Sequence, residues 1–125
     1  MAKLFCQVAG ILLLFLGVLG VVGFGIPGLL SIAEPAEIGV HFLTGALAVF
    51  AGFSAGDYGR WAVLYAKVGG AVYLLLGVVG FVMPDVVPGV FHFDLGCNLA
   101  HLVLGVWGAW AGFAAAEGQM ETAQA

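Results

Sequence analysis

The fold is decided by two stretches with one pattern: VAGILLLFLGVLGVV at residues 8–22 and VGGAVYLLLGVVGFV at residues 68–82. Both are apolar and long enough, with their flanks, to cross a bilayer as a helix. Three glycines recur in the same register, at an offset of 60 residues: Gly10, Gly17 and Gly20 match Gly70, Gly77 and Gly80. Glycines in unbroken register are much less expected by chance than apolar identities, so the pattern predicts an internal repeat.

The repeat continues beyond these stretches into a second apolar segment in each half. At the same offset, His41, Gly45 and Gly52 match His101, Gly105 and Gly112. Each repeat then contains two spans, so both repeats enter the membrane in the same orientation. The sequence therefore predicts an all-α integral membrane fold of four transmembrane helices. These form two tandem hairpins in a bundle with a pseudo-twofold axis along the membrane normal.

Composition supports lipid as the solvent for this single domain of 125 residues. The chain is 63% hydrophobic and only 8% charged, whereas an average soluble domain is about 25% charged. Segments of about 20 apolar residues mark the spans. The four predicted spans cover residues 4–25, 38–55, 61–82 and 95–116, and a polar tail follows at 117–125.

The charges predict an orientation and exclude one class of partner. All three basic residues, Lys3, Arg60 and Lys67, fall on one side of the predicted bundle. The positive-inside rule then places both termini and the middle loop in the cytoplasm. The loops on the other side carry acids and no basic residue: Glu34, Glu37, Asp85 and Asp94. The formal net charge of −4 excludes the basic surface that a nucleic-acid-binding protein needs.

Small residues follow each histidine at helical spacing and predict helix-packing faces. The candidate packing residues are Gly45, Gly52, Gly105, Gly108 and Gly112. Small residues on one face allow transmembrane helices to approach closely. Because the histidines share these faces, we expect them to point into the bundle. The three glycines of the last span could also face a partner subunit.

His41 and His101 are the candidate cofactor-binding residues. An imidazole nitrogen is a ligand for haem iron or for the magnesium of (bacterio)chlorophyll. A porphyrin could approach the helix backbone closely at Gly45 and Gly105, because glycine has no side chain. Two other roles stay open for each imidazole: a hydrogen bond that fixes helix register, and proton transfer. The sequence indicates no catalytic residue and no metal site, since it has no CxxC motif and only two distant cysteines.

Acids near the histidines have two interpretations. Glu37 and Asp94 could orient the imidazoles, as carboxylates do around metal-bound histidines. They also suit the start of a helix, and this is the interpretation that we favour. Asp94 then caps the fourth helix, and Glu37 is a first-turn acid of the second. His92, in the last loop, is predicted to lie on the surface.

Three segments resemble a bacterial family of four-span membrane proteins known as domain of unknown function 4383. They are HFLTGAL at residues 41–47, GAVYLLLGVVGF at 70–81 and NLAHLVLG at 98–105. The H-x-x-x-G pairs are the most distinctive part of this likeness. Asn98 precedes the second histidine, but Ile38 stands at the matching position before the first. The resemblance implies a multi-pass protein of the bacterial inner membrane and implies no particular activity.

The expected role is non-enzymatic. We expect a small accessory or scaffold subunit that packs in the lipid bilayer against itself, as a homo-oligomer, or against subunits of a larger membrane complex. No cofactor is expected for that role. The alternative is a haem- or (bacterio)chlorophyll-binding subunit of an electron-transfer or light-harvesting complex, ligated by His41, His101 or both. A weaker alternative is a small transporter or lipid-handling protein.

Overall fold

The chain forms four long helices joined by short connections. A computed structural model describes residues 1–27, 29–54 and 59–124, with side chains described up to residue 114. The helices are α1 (Ala2–Val21), α2 (Pro35–Phe53), α3 (Arg60–Val82) and α4 (Leu95–Gln124). Each is long and apolar enough to cross a membrane. The prediction of four apolar helices is therefore confirmed.

The helix boundaries differ from the predicted spans by a few residues. Helix α1 ends at Val21, and the chain turns at Gly23, whose φ of +75° is a conformation that glycine adopts easily. Helix α2 begins earlier than predicted because Pro35 occupies its first turn, where proline is tolerated. The backbone of α4 continues in helical form to Gln124, through the predicted polar tail. Residue 55, where the second predicted span ends, lies outside the described residues.

A very short β-hairpin connects α1 to α2. Strands β1 (Gly25–Ile26) and β2 (Leu30–Ser31) pair antiparallel, with Gly25 opposite Ser31. The sequence did not predict these strands, because two residues are too few for an alternating pattern. The hairpin also reaches α4, where the Gly96 N–H donates to the Leu29 carbonyl at 2.6 Å. This bond ties the first connection to the start of the last helix.

The helices associate as two antiparallel pairs, α1 with α2 and α3 with α4. Glycines lie along both seams, where they let two backbones approach. A methyl group added at Gly10 would lie 2.8 Å from the Val49 backbone nitrogen. One added at Gly70 would overlap with the backbone at Ala109. The seams inside the two pairs are therefore too close for any larger side chain at these positions.

Contacts between the two pairs are fewer and include a buried cluster around Phe5, near the start of α1. The Phe5 ring is fully buried and lies nearly perpendicular to the Trp107 ring, with the centroids 5.2 Å apart. Cys6 is buried beside it, and its thiol lies 3.4 Å from the Ala62 carbonyl. A methyl group at Gly108 would meet the Phe5 ring at 2.7 Å. One aromatic side chain thus fills the space where α1 meets α3 and α4.

Large apolar side chains cover the outside of the bundle. On α3 they recur every three or four residues, which places them in one stripe along the helix. The exposed residues of this stripe are Leu64, Val68, Val72, Leu75, Val78 and Val82. The other helices expose similar residues, such as Ile11, Leu43 and Val103. An apolar surface of this extent is unusual for a protein surrounded by water.

Candidate functional site: a cavity between two histidines

His41 and His101 line one cavity at one end of the bundle. This end, called the histidine end, is where α1 and α3 finish and α2 and α4 begin. The cavity has a volume of about 210 Å³ and lies between α2, α3, α4 and the connection at residues 83–94. Its functional groups come from Glu37, His41, Cys97 and His101. The structure thus brings together two histidines that are 60 residues apart in sequence.

His41 is oriented by its own helix. Its Nδ1 lies 2.7 Å from the Glu37 carbonyl oxygen, one turn earlier in α2. Because a carbonyl oxygen can only accept, Nδ1 carries the hydrogen and donates it. In the neutral ring, Nε2 is then left as an acceptor. This bond lies within α2, so it is not the bond across a helix pair that would fix helix register.

His101 is held by aromatic rings and has no such bond. Its ring lies parallel to that of Tyr73, with centroids 6.1 Å apart and planes 9° apart. The Phe93 ring lies nearly perpendicular to the His101 ring, with the centroids 5.7 Å apart. Among the described residues, the buried Nδ1 of His101 has no hydrogen-bond partner. The two histidines are therefore in different environments.

Glu37 connects α2 to the connection at residues 83–94. Only 6% of its surface is exposed, and its Oε1 accepts the backbone N–H of His92 at 2.9 Å. Glu37 is a first-turn acid of α2, as predicted. The bond to the other helix pair was not predicted, because nothing local in the sequence indicates a partner 55 residues away. This bond helps to hold the connection over the cavity, where Phe91 and Phe93 form part of the wall.

Asp94 and Asn98 lie beside the cavity and do not orient His101. The Cys97 N–H donates to Asp94 Oδ1 at 3.3 Å, so Asp94 caps α4 as predicted. Asn98 is buried, and its Oδ1 lies against Gly80 of α3, where a methyl group would overlap with it. Within the described part of the chain, Asp94 Oδ2 and Asn98 Oδ1 have no hydrogen-bond partner. The hypothesis of a carboxylate-oriented histidine is therefore not supported by these contacts.

Two tyrosines extend the polar groups towards the middle of the bundle. The Tyr65 hydroxyl donates to the Thr44 carbonyl at 3.0 Å and lies 2.6 Å from the Tyr73 hydroxyl. Tyr73 in turn stacks on His101. Sequence reasoning missed this group. The sequence did contain a signal for it. At the offset of 60, Tyr65 and Tyr73 match Phe5 and Leu13, which have no hydroxyl, so the two repeats differ here.

His92 lies on the surface, as predicted. Its Nδ1 is 2.6 Å from Asp85 Oδ1, and about half of its side chain is exposed. The hydrogen bond to Asp85 raises the pKa of His92 above its ordinary value. The side chain therefore stays outside the cavity, and only its backbone N–H takes part in the site.

The site does not fit haem or (bacterio)chlorophyll, the cofactors of the alternative hypothesis. Pockets that enclose a cofactor usually measure about 300–1,000 Å³, and this cavity of about 210 Å³ is smaller. Gly45 and Gly105, expected to admit a porphyrin, lie against Leu14 and Leu74 of neighbouring helices. No group of three or more His, Cys, Asp or Glu among the described residues could hold a metal ion. A porphyrin would need the connection and the helices to separate.

The helix-packing glycines all contact helices of the same chain. A methyl group at Gly45 would meet Leu14, and one at Gly52 would meet Gln7. The expectation that glycines of α4 face a partner is wrong for the same reason. Added methyl groups at Gly105, Gly108 and Gly112 would meet Leu74, Phe5 and Lys67. These glycines already pack against other helices of the same chain.

No protein-family model matches the chain, and comparisons with curated proteins and with solved structures found no match. The resemblance to domain of unknown function 4383 stays a prediction.

Proposed function

We propose that this chain is an integral membrane protein of two tandem hairpin repeats, and that it serves as a non-enzymatic accessory subunit. Insertion in a bilayer is supported by the apolar side chains that surround all four helices. It is also supported by the charges, since Lys3 and Arg60 both lie at the end opposite to the histidine end. The positive-inside rule then places the histidine end outside the cytoplasm.

The repeat is supported by the contacts of its glycines. Gly17 lies under the Phe42 ring, and Gly77 lies under the Leu102 side chain. Gly10 meets Val49, and Gly70 meets Ala109. Gly45 and Gly105 in turn meet Leu14 and Leu74. All of these contacts are related by the sequence offset of 60. Two hairpins built on one template account for this correspondence.

The accessory role is carried by one observation, an open groove between α2 and α3. This α2–α3 groove has a volume of about 480 Å³ and is apolar. Leu47 and Phe50 of α2 form one side, and Leu64 and Val68 of α3 form the other, with Trp61 at one end. In lipid, helices associate by close packing. We therefore assign the groove to a transmembrane helix of a partner subunit.

Native mass spectrometry from lipid nanodiscs tests this role. Val68→Trp fills the groove, whereas Val78→Trp places the same ring on the same helix outside it. The wild type and Val78→Trp should be released in a defined complex, and Val68→Trp should be released mainly as a monomer. A wild-type protein that is only monomeric, with lipid in the groove, would contradict the accessory role. The weaker role in lipid handling would then be favoured.

A further inference from the structure

The histidine end has an uneven distribution of charge. Among its charged residues, Glu34, Glu37, Asp85 and Asp94 are acids, and the chain's three Lys and Arg residues lie elsewhere. Clefts bordered by one sign of charge raise the local concentration of counter-ions. This end of the bundle therefore attracts cations. His92 offsets only part of the negative charge, because its partner is the exposed Asp85.

Glu37 brings this negative charge into the histidine cavity. Its side chain is almost fully buried and lines the cavity wall. Its hydrogen bond comes from a backbone N–H, which is neutral. A buried carboxylate is costly unless a positive charge accompanies it. Among the described residues, no Lys or Arg lies at this end of the bundle, so a bound cation would stabilise the charged form of Glu37.

The other cavity groups also favour a cation over an anion. With Nδ1 donating to Glu37, the neutral His41 ring offers Nε2 as an acceptor. Phe91 and Phe93 also line the cavity with aromatic rings. The faces of such rings attract ammonium groups. Carboxylate, imidazole and aromatic faces together match a ligand that is positively charged and partly apolar.

The volume limits the size of this ligand. An apolar protein cavity of about 150 Å³ holds a benzene molecule, so about 210 Å³ holds a compact group of similar size or slightly larger. We propose that the histidine cavity binds a small organic ammonium ion, with Glu37 as its counter-ion. Such a group could be a free amine or the quaternary ammonium headgroup of a lipid. This site does not depend on the accessory role, because the α2–α3 groove contributes none of the residues named here.

Calorimetric titration with tetramethylammonium tests the proposal directly. The full chain is placed in nanodiscs of phosphatidylglycerol, and tert-butanol serves as an uncharged probe of the same size. Tetramethylammonium should bind saturably and tert-butanol at least tenfold more weakly. Glu37→Gln should lower the affinity for tetramethylammonium at least tenfold. Glu34→Gln removes an acid that lies at the same end but outside the cavity. This variant should change the affinity for tetramethylammonium less than twofold.

A second pair of variants keeps the test decisive if Glu37→Gln does not fold. Leu76→Phe adds volume inside the cavity, and Leu75→Phe adds it on the exposed side of the same helix. The first should abolish binding and the second should preserve it. Wild-type protein that fails to bind tetramethylammonium, or prefers tert-butanol, would overturn the proposal. Equal binding by Leu76→Phe and Leu75→Phe would also overturn it.

Nanodiscs that contain phosphatidylcholine distinguish the two sources of the ligand. If the headgroup of this lipid occupies the cavity, it should compete with tetramethylammonium and raise its apparent Kd. If the ligand is a free amine, replacing phosphatidylglycerol with phosphatidylcholine should not change the apparent Kd for tetramethylammonium. Either result supports a site for ammonium ions. Competition identifies the lipid headgroup as the ligand, and the absence of competition identifies a free amine.

Discussion

The two helix pairs pack in the same way but carry different polar groups. In each, glycines bring the backbones together at matching places, as Gly10 does against Val49 and Gly70 against Ala109. The polar groups differ, since Tyr65 of α3 stands where α1 has Phe5. The comparison teaches that matching glycines set the packing, whereas the polar groups around the two matched histidines differ between the pairs. The histidine cavity lies where these unlike surfaces meet.

The largest effect is expected from filling the matching seams. Gly10→Leu and Gly70→Leu should each lower the free energy of unfolding by about 3 kcal/mol, because an overpacked seam has to separate. The measurement is unfolding in bicelles. The two losses should be similar, because both glycines face a backbone of the adjacent helix.

Gly39→Ala is the control for these substitutions. In the described part of the chain, no atom outside the adjoining stretch of α2 lies within 4 Å of the position that a methyl group at Gly39 would take. Alanine also favours helix over glycine by up to about 1 kcal/mol. This variant should therefore be as stable as the wild type or slightly more stable. If Gly70→Leu were tolerated while Gly10→Leu was not, the two seams would not be equivalent.

A smaller loss is expected where the two pairs differ, at Tyr65. Tyr65→Phe makes α3 match α1 at this position and removes the hydrogen bonds to the Thr44 carbonyl and to the Tyr73 hydroxyl. A typical hydrogen bond contributes about 1 kcal/mol, and we expect a loss of that size in the same assay. Tyr73→Phe leaves the bond to Thr44 in place and should cost less. A greater loss from Tyr73→Phe would show that the tyrosine pair, not the link to Thr44, holds the helices together.

Asn98→Ile should have little effect on stability or should increase it. Isoleucine stands at the matching position, Ile38, where it packs against Gly20 as Asn98 packs against Gly80. The change removes a buried carbonyl oxygen that has no partner among the described residues. An unsatisfied buried polar group costs about 1–3 kcal/mol. A loss of stability above about 1 kcal/mol would mean that Asn98 has a partner not accounted for here, such as a buried water.

The smallest effect is expected from the His92 and Asp85 pair, which has no counterpart in the first connection. Pairing raises the pKa of His92 above 6.5. The pair therefore adds its full stability below pH 6.5, and that stability is lost as the pH rises through the raised pKa. Solvent screens this exposed pair, so its contribution should be below about 1 kcal/mol. NMR titration should find a lower His92 pKa in Asp85→Asn, and an unchanged pKa would contradict the pairing.

The four helices and the Asp94 cap could be predicted from sequence, because apolar length and capping are local properties. The meeting of His41 and His101 at one end could also be expected from the offset of 60. The bond from His92 to Glu37 could not, since it depends on how one connection folds over another helix pair. The glycines of α4 were predicted as packing residues, but which helix they contact could not be predicted, because a small residue in a sequence does not indicate which neighbour it admits.

Disulfide crosslinking in the bilayer tests the arrangement of two like hairpins most directly. In a variant without native cysteines, Gly17→Cys is paired with Phe42→Cys, and Gly77→Cys with Leu102→Cys. Each pair joins a glycine to the side chain that covers it. The mixed pair, Gly17→Cys with Leu102→Cys, is the control.

Two like hairpins predict rapid intramolecular crosslinks in both matched pairs and none in the mixed pair. Rapid crosslinking of the mixed pair, or of only one matched pair, would contradict this arrangement.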